Sequence, residues 1–310
     1  MKGWAALVTA LAVLLGGCGL SPAETGPGVA GAQVVGREKA GERGQDLTVR
    51  SPALGRNTPV RVLLPSGWTH GSGPWPVLYL LHGCCGAGHL GWVDEGGAER
   101  LTAAMPAIVV VPEGGRVGFY SDWLRGPRWE TFHIKELIPL IEAEFGAGAE
   151  RAVAGLSMGG LGAMGYAARH PGLFRAAASF SGVLDTTGDQ AGVRRLVREN
   201  GDDPAALWGD PERDRKVWEA HNPAQLAGRL GGMPIYVSCG DGRPGPLDPP
   251  GAAGDYEGAL LGQATVFAER ARAAGARVTT DFYGAGTHTW PYWERALERA
   301  LPMLRAAIGA

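Results

Sequence analysis

The stretch RAVAGLSMGGLGAMGYAAR, residues 151–169, decides the fold. The short apolar run Arg151–Ala154 predicts a strand, and the small-residue run Met158–Arg169 predicts a helix. Between them lies the segment Gly155–Gly159 (GLSMG), in which a serine is flanked by glycines at a strand-to-helix turn. Such a turn lifts the serine hydroxyl above the sheet, beside N–H groups at a helix start that stabilise developing negative charge. The stretch therefore predicts a nucleophilic Ser157.

A second glycine pattern overlaps this one. Gly160, Gly162 and Gly165 satisfy G-x-G-x-x-G, which binds dinucleotides when its glycines form the turn between strand and helix. Here the glycines fall inside the predicted helix, so we interpret them as allowing close packing of the helix on the sheet. Cysteine and histidine spacing does not match a zinc site either. We therefore expect no cofactor and no metal.

Further apolar runs on both sides of this stretch alternate with helical patterns. The predicted strands are 46–51, 59–64, 76–81, 107–111, 151–154, 176–180, 234–238 and 278–282. The predicted helices are 129–145, 158–169, 262–274 and 290–308, with a helical insertion at 185–230. This alternation predicts an α/β fold with a mostly parallel central sheet and helices on both faces.

Composition narrows the class of protein. The chain has 310 residues, of which 45% are hydrophobic and 19% charged, so it can bury a large core. Its formal charge is −2 and it has no Lys/Arg run, so we expect no nucleic-acid partner. Only one long hydrophobic stretch occurs, near the N-terminus, which excludes a multi-pass membrane protein.

The N-terminus predicts a lipoprotein. Lys2 precedes an apolar run at 4–15, and small residues lead to Cys18, as in a bacterial lipobox. We expect residues 1–17 to be a signal peptide, and 18–45 to be a lipidated cysteine with a flexible tether. The catalytic domain would then span 46–310. Acyl chains on Cys18 would hold the protein on the membrane from outside the cytoplasm.

Three cysteines remain after Cys18, namely Cys84, Cys85 and Cys239. Because this number is odd, at least one thiol should be free or paired outside the chain. A disulfide between Cys239 and one of the adjacent pair stays open at this point.

A serine nucleophile needs a base and an acid, and in α/β hydrolases both follow the serine along the chain. Of the seven histidines, His221 and His288 follow at a useful distance. His288 lies just after a predicted strand, where such sites assemble, whereas His221 lies in the insertion. We therefore predict His288 as the base. For the acid, position favours Asp241, and the alternatives are Asp248 and Glu257.

The oxyanion would be held by backbone N–H groups. The loop 81–86 (LHGCCG) follows a buried strand, and its glycines let it bend close to Ser157. We expect the N–H groups of Cys84 and Met158 to point at the oxyanion.

The chain resembles the α/β-hydrolase esterases of the esterase D group, and most closely the trehalose mycolyltransferases and related actinobacterial esterases. The resemblance begins near residue 46 and runs to the C-terminus. Its most specific pieces occur in the family's order and are Phe119–Trp123, Trp129–Phe132, Gly155–Gly160, Cys239–Gly242 and Gly286–Trp293.

The resemblance implies an α/β-hydrolase fold and ester chemistry through an acyl-enzyme. The family's serine and histidine correspond to Ser157 and His288, and its oxyanion N–H groups to those of Met158 and Cys84. The family's acid is a glutamate ten residues before a helical phenylalanine, which here gives Glu257 ahead of Phe267. The resemblance therefore replaces Asp241 by Glu257, with Asp241 second.

The chain also departs from that family. The transferases hold trehalose with an Asp and an Arg, and at those positions this chain has His82 and Cys85. Trehalose specificity is therefore not expected, whereas acyl-enzyme chemistry is. His82, Trp123 and Trp290, with Trp293, are candidates for substrate contact, and core packing is the competing interpretation of the tryptophans.

Three functions follow as hypotheses. The first is a serine esterase or acyltransferase acting on lipid or sugar esters of the cell envelope. A mycolyltransferase-like transfer to a sugar or glycerol acceptor is the second, and a catalytically inactive envelope-binding lipoprotein is the third. A peptidase would use the same triad, and turnover of casein against esters would separate the two.

Overall fold

One nine-stranded sheet organises the chain. The computed structural model describes Met1 and residues 31–86 and 88–310. The strands are β1 (Gln33–Ala40), β2 (Gly44–Ser51), β3 (Arg56–Leu63), β4 (Trp75–Leu81), β5 (Ile108–Pro112), β6 (Ala147–Leu156), β7 (Ala176–Phe180), β8 (Pro234–Cys239) and β9 (Arg277–Phe282). Their order across the sheet is β1-β2-β3-β5-β4-β6-β7-β8-β9. Strands β4 to β9 run parallel and β1 to β3 pair antiparallel, which confirms the predicted mostly parallel sheet.

Helices cover both faces of the sheet. They are α1 (Gly91–Asp94), α2 (Ala98–Leu101), α3 (Trp129–Thr131), α4 (Ile138–Phe145), α5 (Met158–Arg169), α6 (Gln190–Glu199), α7 (Pro204–Trp208), α8 (Arg215–Ala220), α9 (Pro223–Leu226), α10 (Glu257–Ala273) and α11 (Trp290–Ile308). A π-helical segment, Phe132–Leu137, joins α3 to α4. Strand β4 explains the two layers, because its alternate side chains belong to different hydrophobic clusters. Val77 and Tyr79 pack with α4, α5 and α10, whereas Leu78 and Leu80 pack with α1, α2 and α11.

The parallel strands bring distant loops to one edge of the sheet. Strand β4 lies beside β6, with Leu81 opposite Gly155, and β8 lies beside β9, with Cys239 opposite Phe282. The loops after these four strands therefore emerge together at the carboxyl ends, where ligands bind in open α/β sheets.

The expected tether is in part a strand. Residues 33–40 form β1, which pairs with β2 from Gln33 opposite Arg50 to Ala40 opposite Gly44. The folded domain thus begins well before residue 46, and the boundary expected there is wrong. The cause is that β1 is an edge strand with mostly exposed side chains, so its sequence shows no apolar alternation. Cys18 and the expected signal peptide lie outside the described residues.

Most predicted elements agree with the structure. The helices predicted at 158–169 and 290–308 and the strand at 176–180 have the predicted bounds, and the insertion at 185–230 is helical. The helix predicted at 262–274 begins earlier, at Glu257. Among the described residues, no helix is long and apolar enough to cross a membrane.

Candidate active site

Ser157 occupies the sharp turn between β6 and α5. Its backbone has φ 52° and ψ −119°, a conformation that costs energy for a residue with a side chain, and its N–H donates to the Phe180 carbonyl over 2.8 Å. The flanking glycines make the turn possible. A Cβ on Gly155 would lie 2.2 Å from the Gly159 oxygen, and a Cβ on Gly159 would lie 2.2 Å from the Leu81 oxygen.

The loop after β4 closes on this turn. A Cβ on Gly83 would lie 3.3 Å from the Ser157 Cβ, so the loop bends as the sequence predicts. The nearest atom to a Cβ on Gly86 would be the Cys84 carbonyl oxygen, at 3.9 Å, so close packing does not require glycine at this position. Within the described part of the chain, the N–H groups of Cys84 and Met158 have no protein acceptor. Met158 begins α5, so its N–H also carries the partial positive charge of the helix end.

His288 and Glu257 form a close pair. The His288 Nδ1 lies 2.6 Å from Glu257 Oε2, and the Glu257 side chain is fully buried. An ionised carboxylate in this position makes Nδ1 the protonated nitrogen and leaves Nε2 free to accept a proton.

The Glu257 carboxylate has several more partners. Its Oε1 accepts hydrogen bonds from the Gly240 N–H over 3.1 Å and from the Ser181 hydroxyl, and it lies 3.2 Å from the Cys239 Sγ. Burial alone would raise the pKa of Glu257, but the hydrogen bonds from His288, Ser181 and Gly240 outweigh it and hold the pKa below its usual range. The carboxylate is therefore kept charged.

Asp255 and Tyr256, which directly precede Glu257, also contact His288, and the sequence did not predict either contact. The Asp255 carboxylate accepts the His288 backbone N–H over 2.6 Å and the Glu257 N–H over 2.9 Å. The Tyr256 ring lies 4.8 Å from the imidazole, measured between centroids.

A signal for these residues was present in the sequence. Asp255 stands two residues before the true start of α10 and accepts a hydrogen bond from its first turn, as helix-capping aspartates do. Because the predicted helix begins at 262, Asp255 does not stand at its start, and this capping signal is not recognised in the sequence.

A cavity of about 150 Å³ joins these parts. It is lined by Ser157, Tyr256 and His288, by the apolar side chains of Leu156, Trp290 and Trp293, and by residues of the loop after β4. The Trp293 Nε1 donates to Ser181 Oγ over 3.1 Å, and its ring lies 4.8 Å from that of His288. The indole therefore supports the histidine as well as the cavity.

Other candidates lie elsewhere. Asp241, the positional choice for the acid, pairs with Arg243 at 2.6 Å and does not contact His288. Position alone was misleading because the acid comes from the start of α10 and not from the loop after β8. His221 stacks on Trp208 in the insertion, and its Nδ1 lies 2.8 Å from the Val217 carbonyl oxygen.

The other substrate-contact candidates, Trp290, Trp123 and His82, differ in their surroundings. Trp290 lines the cavity, as the hypothesis requires, and also packs on Trp92 with ring centroids 5.6 Å apart. Trp123 is 9% exposed, packs in the core and does not line this cavity, so core packing explains it. His82 borders the cavity but is 2% exposed, and both ring nitrogens contact backbone atoms, at Gly83 and Gly114.

Cys84 and Cys85 are joined to each other by a disulfide, and Cys239 is a buried free thiol. This agrees with the expectation of at least one free thiol and corrects the open alternative of a bond to Cys239. Burial is the main reason that the pKa of the Cys239 thiol is raised above its usual value.

Comparison with known proteins identifies the family. The esterase family model, described as "Putative esterase", matches residues 51–304. Esterase Rv1288 of Mycobacterium tuberculosis is 37% identical over 223 residues, which are 68% of this chain and 48% of that protein. The chain thus spans about half the length of this relative. The diacylglycerol acyltransferase/mycolyltransferase Ag85B of Mycolicibacterium smegmatis is 31% identical over 294 residues, with 85% of both chains covered.

A solved structure agrees with these relatives. The crystal structure of Mycobacterium tuberculosis MPT51 (FbpC1) aligns with a TM-score of 0.72 and 28% identity, over 86% of this chain and 99% of that one. The likeness confirms the α/β-hydrolase fold, and the relatives support ester hydrolysis or acyl transfer as the chemistry. The chain belongs to the esterase family.

Proposed function

We propose that this protein is a serine esterase or acyltransferase that acts on carboxylic esters through an acyl-enzyme at Ser157. The observation that carries the proposal is the pairing of His288 with buried Glu257 at the edge of the cavity that Ser157 lines. Ser157 lies at the turn between β6 and α5, His288 follows β9, and Glu257 begins α10, so the three proposed residues come from separate parts of the chain.

The mechanism follows from this geometry. His288 takes the Ser157 proton on Nε2 while the serine oxygen attacks the ester carbonyl, and Glu257 stabilises the imidazolium that forms. The N–H groups of Cys84 and Met158 donate to the tetrahedral oxyanion. His288 then gives its proton to the leaving alcohol, and the acyl group remains on Ser157. A second cycle releases it to water or to another hydroxyl.

The size of the cavity favours short acyl groups. Its volume of about 150 Å³ holds on the order of five water-sized groups, at roughly 30 Å³ each. A short acyl chain would contact Leu156, Trp290 and Trp293, and a longer chain would extend beyond the cavity.

The test is turnover of p-nitrophenyl esters from acetyl to palmitoyl, with Ser157→Ala as the inactive variant and Ser66→Ala as a matched control. We expect turnover that is highest for the short esters and lost only in Ser157→Ala. Folded protein without Ser157-dependent turnover at any chain length would leave the envelope-binding lipoprotein as the better hypothesis.

Acyl transfer is the second candidate, favoured by the 31% identity to a protein named as a mycolyltransferase over 85% of both chains. Adding glycerol or glucose to the ester assay distinguishes the two. Transfer gives the acylated acceptor in mass spectrometry, whereas an esterase gives only the free acid.

The expected location is a further part of the proposal. We infer an extracytoplasmic protein held on the membrane through acyl chains on Cys18, from the lipobox-like residues before that cysteine. Metabolic labelling with an alkyne fatty acid should mark the wild-type protein, and Cys18→Ser should remove the label. An unlabelled wild type would contradict the anchor.

A further inference from the structure

A disulfide between neighbouring residues lies in the loop that closes on Ser157. Cys84 and Cys85 are bonded to each other, and Cys84 lines the cavity of Ser157. The backbone N–H of Cys84 is one of the two oxyanion donors in the proposed mechanism. A disulfide between adjacent residues closes a small ring through their planar peptide bond, so it limits rotation of the backbone on both sides of that bond. The conformation of this loop is therefore linked to the oxidation state of its cysteines.

Cys85 has a backbone conformation that residues with a side chain rarely adopt. Its φ is 71°, in the left-handed region. Its N–H donates to the Arg116 carbonyl over 3.0 Å, and its Sγ accepts from the Asn200 Nδ2 over 3.3 Å. Without the bond to Cys84, the side chain of Cys85 is free to change rotamer and its backbone can return to a negative φ. We therefore expect the loop to change shape when the disulfide opens.

The disulfide can be reached from solvent. Cys85 is exposed, Cys84 is half-buried, and Cys85 lines a second cavity, of about 300 Å³. A thiolate opens a disulfide by attacking one of its sulfurs, so the reaction requires access to a sulfur. Cys239, by contrast, is a buried free thiol. A thiol reagent in solution therefore meets Cys85 first.

We propose that Cys84 and Cys85 form a reversible redox site that controls turnover at Ser157. A thiolate of a dithiol reductant attacks the Cys85 sulfur, and the Cys84 sulfur leaves and takes up a proton. The second thiol of the reductant then displaces Cys85, which is also protonated, and closes the reductant's own disulfide. The two cysteines gain two electrons and two protons, and the dithiol loses them. The inference rests on the proposed function and deepens it, because it names the regulation of the same site.

The oxidised form is the active one. With the disulfide closed, the Cys84 N–H stays available to the oxyanion, since it has no acceptor in the part of the chain that the structure describes. Opening the disulfide lets this N–H turn away, and the N–H of Met158 is then the remaining donor. An oxyanion donor acts on the transition state, so its loss lowers kcat and changes KM little. Disulfides persist outside the cytoplasm, where we place the protein, so a reducing environment would switch the activity off.

The test measures turnover of p-nitrophenyl butyrate by the full chain in three oxidation states. The first is the chain as purified, the second follows reduction with dithiothreitol and desalting without air, and the third follows reoxidation with oxidised glutathione. Desalting is needed because a thiol would cleave the ester by itself. We expect reduction to lower kcat about tenfold or more, because the loss of one oxyanion donor costs at least that much, and KM to stay within about twofold. Reoxidation should restore kcat.

Two variants test the same step without a reductant. Cys84→Ser and Cys85→Ser keep every backbone N–H and lose only the disulfide, so each should have the kcat of the reduced wild type and should not respond to dithiothreitol. Cys18→Ser is the matched control, because it keeps the pair and should respond as wild type does. Alkylation with iodoacetamide followed by peptide mass spectrometry checks the oxidation state, and both cysteines should be labelled only after reduction.

Several results would overturn the inference. These are an unchanged kcat after reduction that the mass spectra verify, full activity in both serine variants, and labelling of the pair before any reductant is added. Where a serine variant folds poorly, reduction of the wild type still decides. If the oxidised wild type were no more active than Ser157→Ala, the proposed function itself would fail, and the inference with it.

Discussion

At the scale of single residues, one carboxylate decides between two readings of the site. Asp241 and Glu257 both follow β8, yet only Glu257 contacts His288, and Asp241 pairs with exposed Arg243. The Asp255 N–H donates to the Gly242 carbonyl over 3.0 Å, so the loop 241–256 returns to its own start, and Glu257 at the start of α10 lies beside His288. Position after β8 does not indicate this turn, whereas the family's spacing to Phe267 points to Glu257.

Replacing Glu257 by Gln tests this assignment. The amide keeps the size of the side chain but lacks the charge that stabilises the imidazolium, so we expect kcat to fall by about 10²- to 10⁴-fold. Asp241→Asn is the matched control and should keep most of the activity. The measurement is kcat on p-nitrophenyl butyrate together with the thermal midpoint. A larger loss in Asp241→Asn than in Glu257→Gln would reverse the assignment.

At the scale of elements, the backbone comes into close contact at two places around the junction of β6 and α5. The turn at Ser157 brings Gly155 against Gly159, and it brings the start of α5 against the end of β4. The same helix is tied at its other end to α3, because Glu130 pairs with Arg169 at 2.8 Å and with His170 at 2.7 Å. Helix α5 is therefore held at both ends, which fixes the position of the serine.

Replacing Gly155 by Ala should disrupt the turn at the N-terminal end of α5. The new Cβ would lie 2.2 Å from a backbone oxygen that cannot move without opening the turn, so we expect a loss of about 1–3 kcal/mol in the free energy of unfolding and a lower kcat. Gly262→Ala, in α10, meets nothing within 4 Å and should be neutral or slightly stabilising. Urea denaturation compares the two, and equal stability would contradict the prediction.

Replacing Glu130 by Gln should weaken the attachment of the C-terminal end of α5 to α3, and the loss of stability should depend on pH. Burial alone would raise the pKa of Glu130, but His170 and Arg169 lower it to about 2. Because the pKa of Glu130 is lower in the folded chain than its value of 4.5 in the unfolded chain, the charged carboxylate stabilises the fold by about 3 kcal/mol at pH values above 4.5. This contribution is lost as the pH falls towards 2.

The measurement is urea denaturation of wild type and Glu130→Gln at pH 7 and pH 3. Wild type should be the more stable at pH 7, and the difference should shrink to less than half by pH 3, since the carboxylate becomes protonated in the unfolded chain and partly in the folded one. A difference that does not change with pH would show that the charge of Glu130 is not the cause.

At the scale of the whole molecule, the sheet extends further than its apolar pattern indicates. Strand β1 contributes little buried surface, and its charged residues Arg37, Glu38 and Lys39 are typical of an edge. It nevertheless covers the hydrogen-bonding edge of β2, whose Leu47 and Val49 belong to the larger core cluster.

Removing β1 should therefore cost stability. A chain that begins at residue 44 exposes the edge of β2, so we expect a thermal midpoint at least about 3 °C below that of a chain beginning at residue 31, and a greater tendency to aggregate. Differential scanning calorimetry gives the midpoints and light scattering the aggregation. Equal midpoints in the two chains would mean that β1 adds nothing to the domain.

Much of this protein follows from its sequence alone. The β6–α5 segment and the buried runs of the central strands predict a mostly parallel sheet with a serine at a tight turn, because period, glycine placement and burial are local properties. For the same reason the edge strand β1 and the start of α10 were missed. Their conformation depends on the backbone of β2 and on the contacts of Asp255 with His288.

Only the tertiary structure decided which side chains meet. Position along the chain favours Asp241 and the family resemblance favours Glu257, and the structure places Glu257 at His288. It also joins Cys84 to Cys85 in a disulfide and leaves Cys239 as a buried thiol. Proximity of this kind depends on how the carboxyl ends of parallel strands converge, and spacing along the chain does not record that convergence.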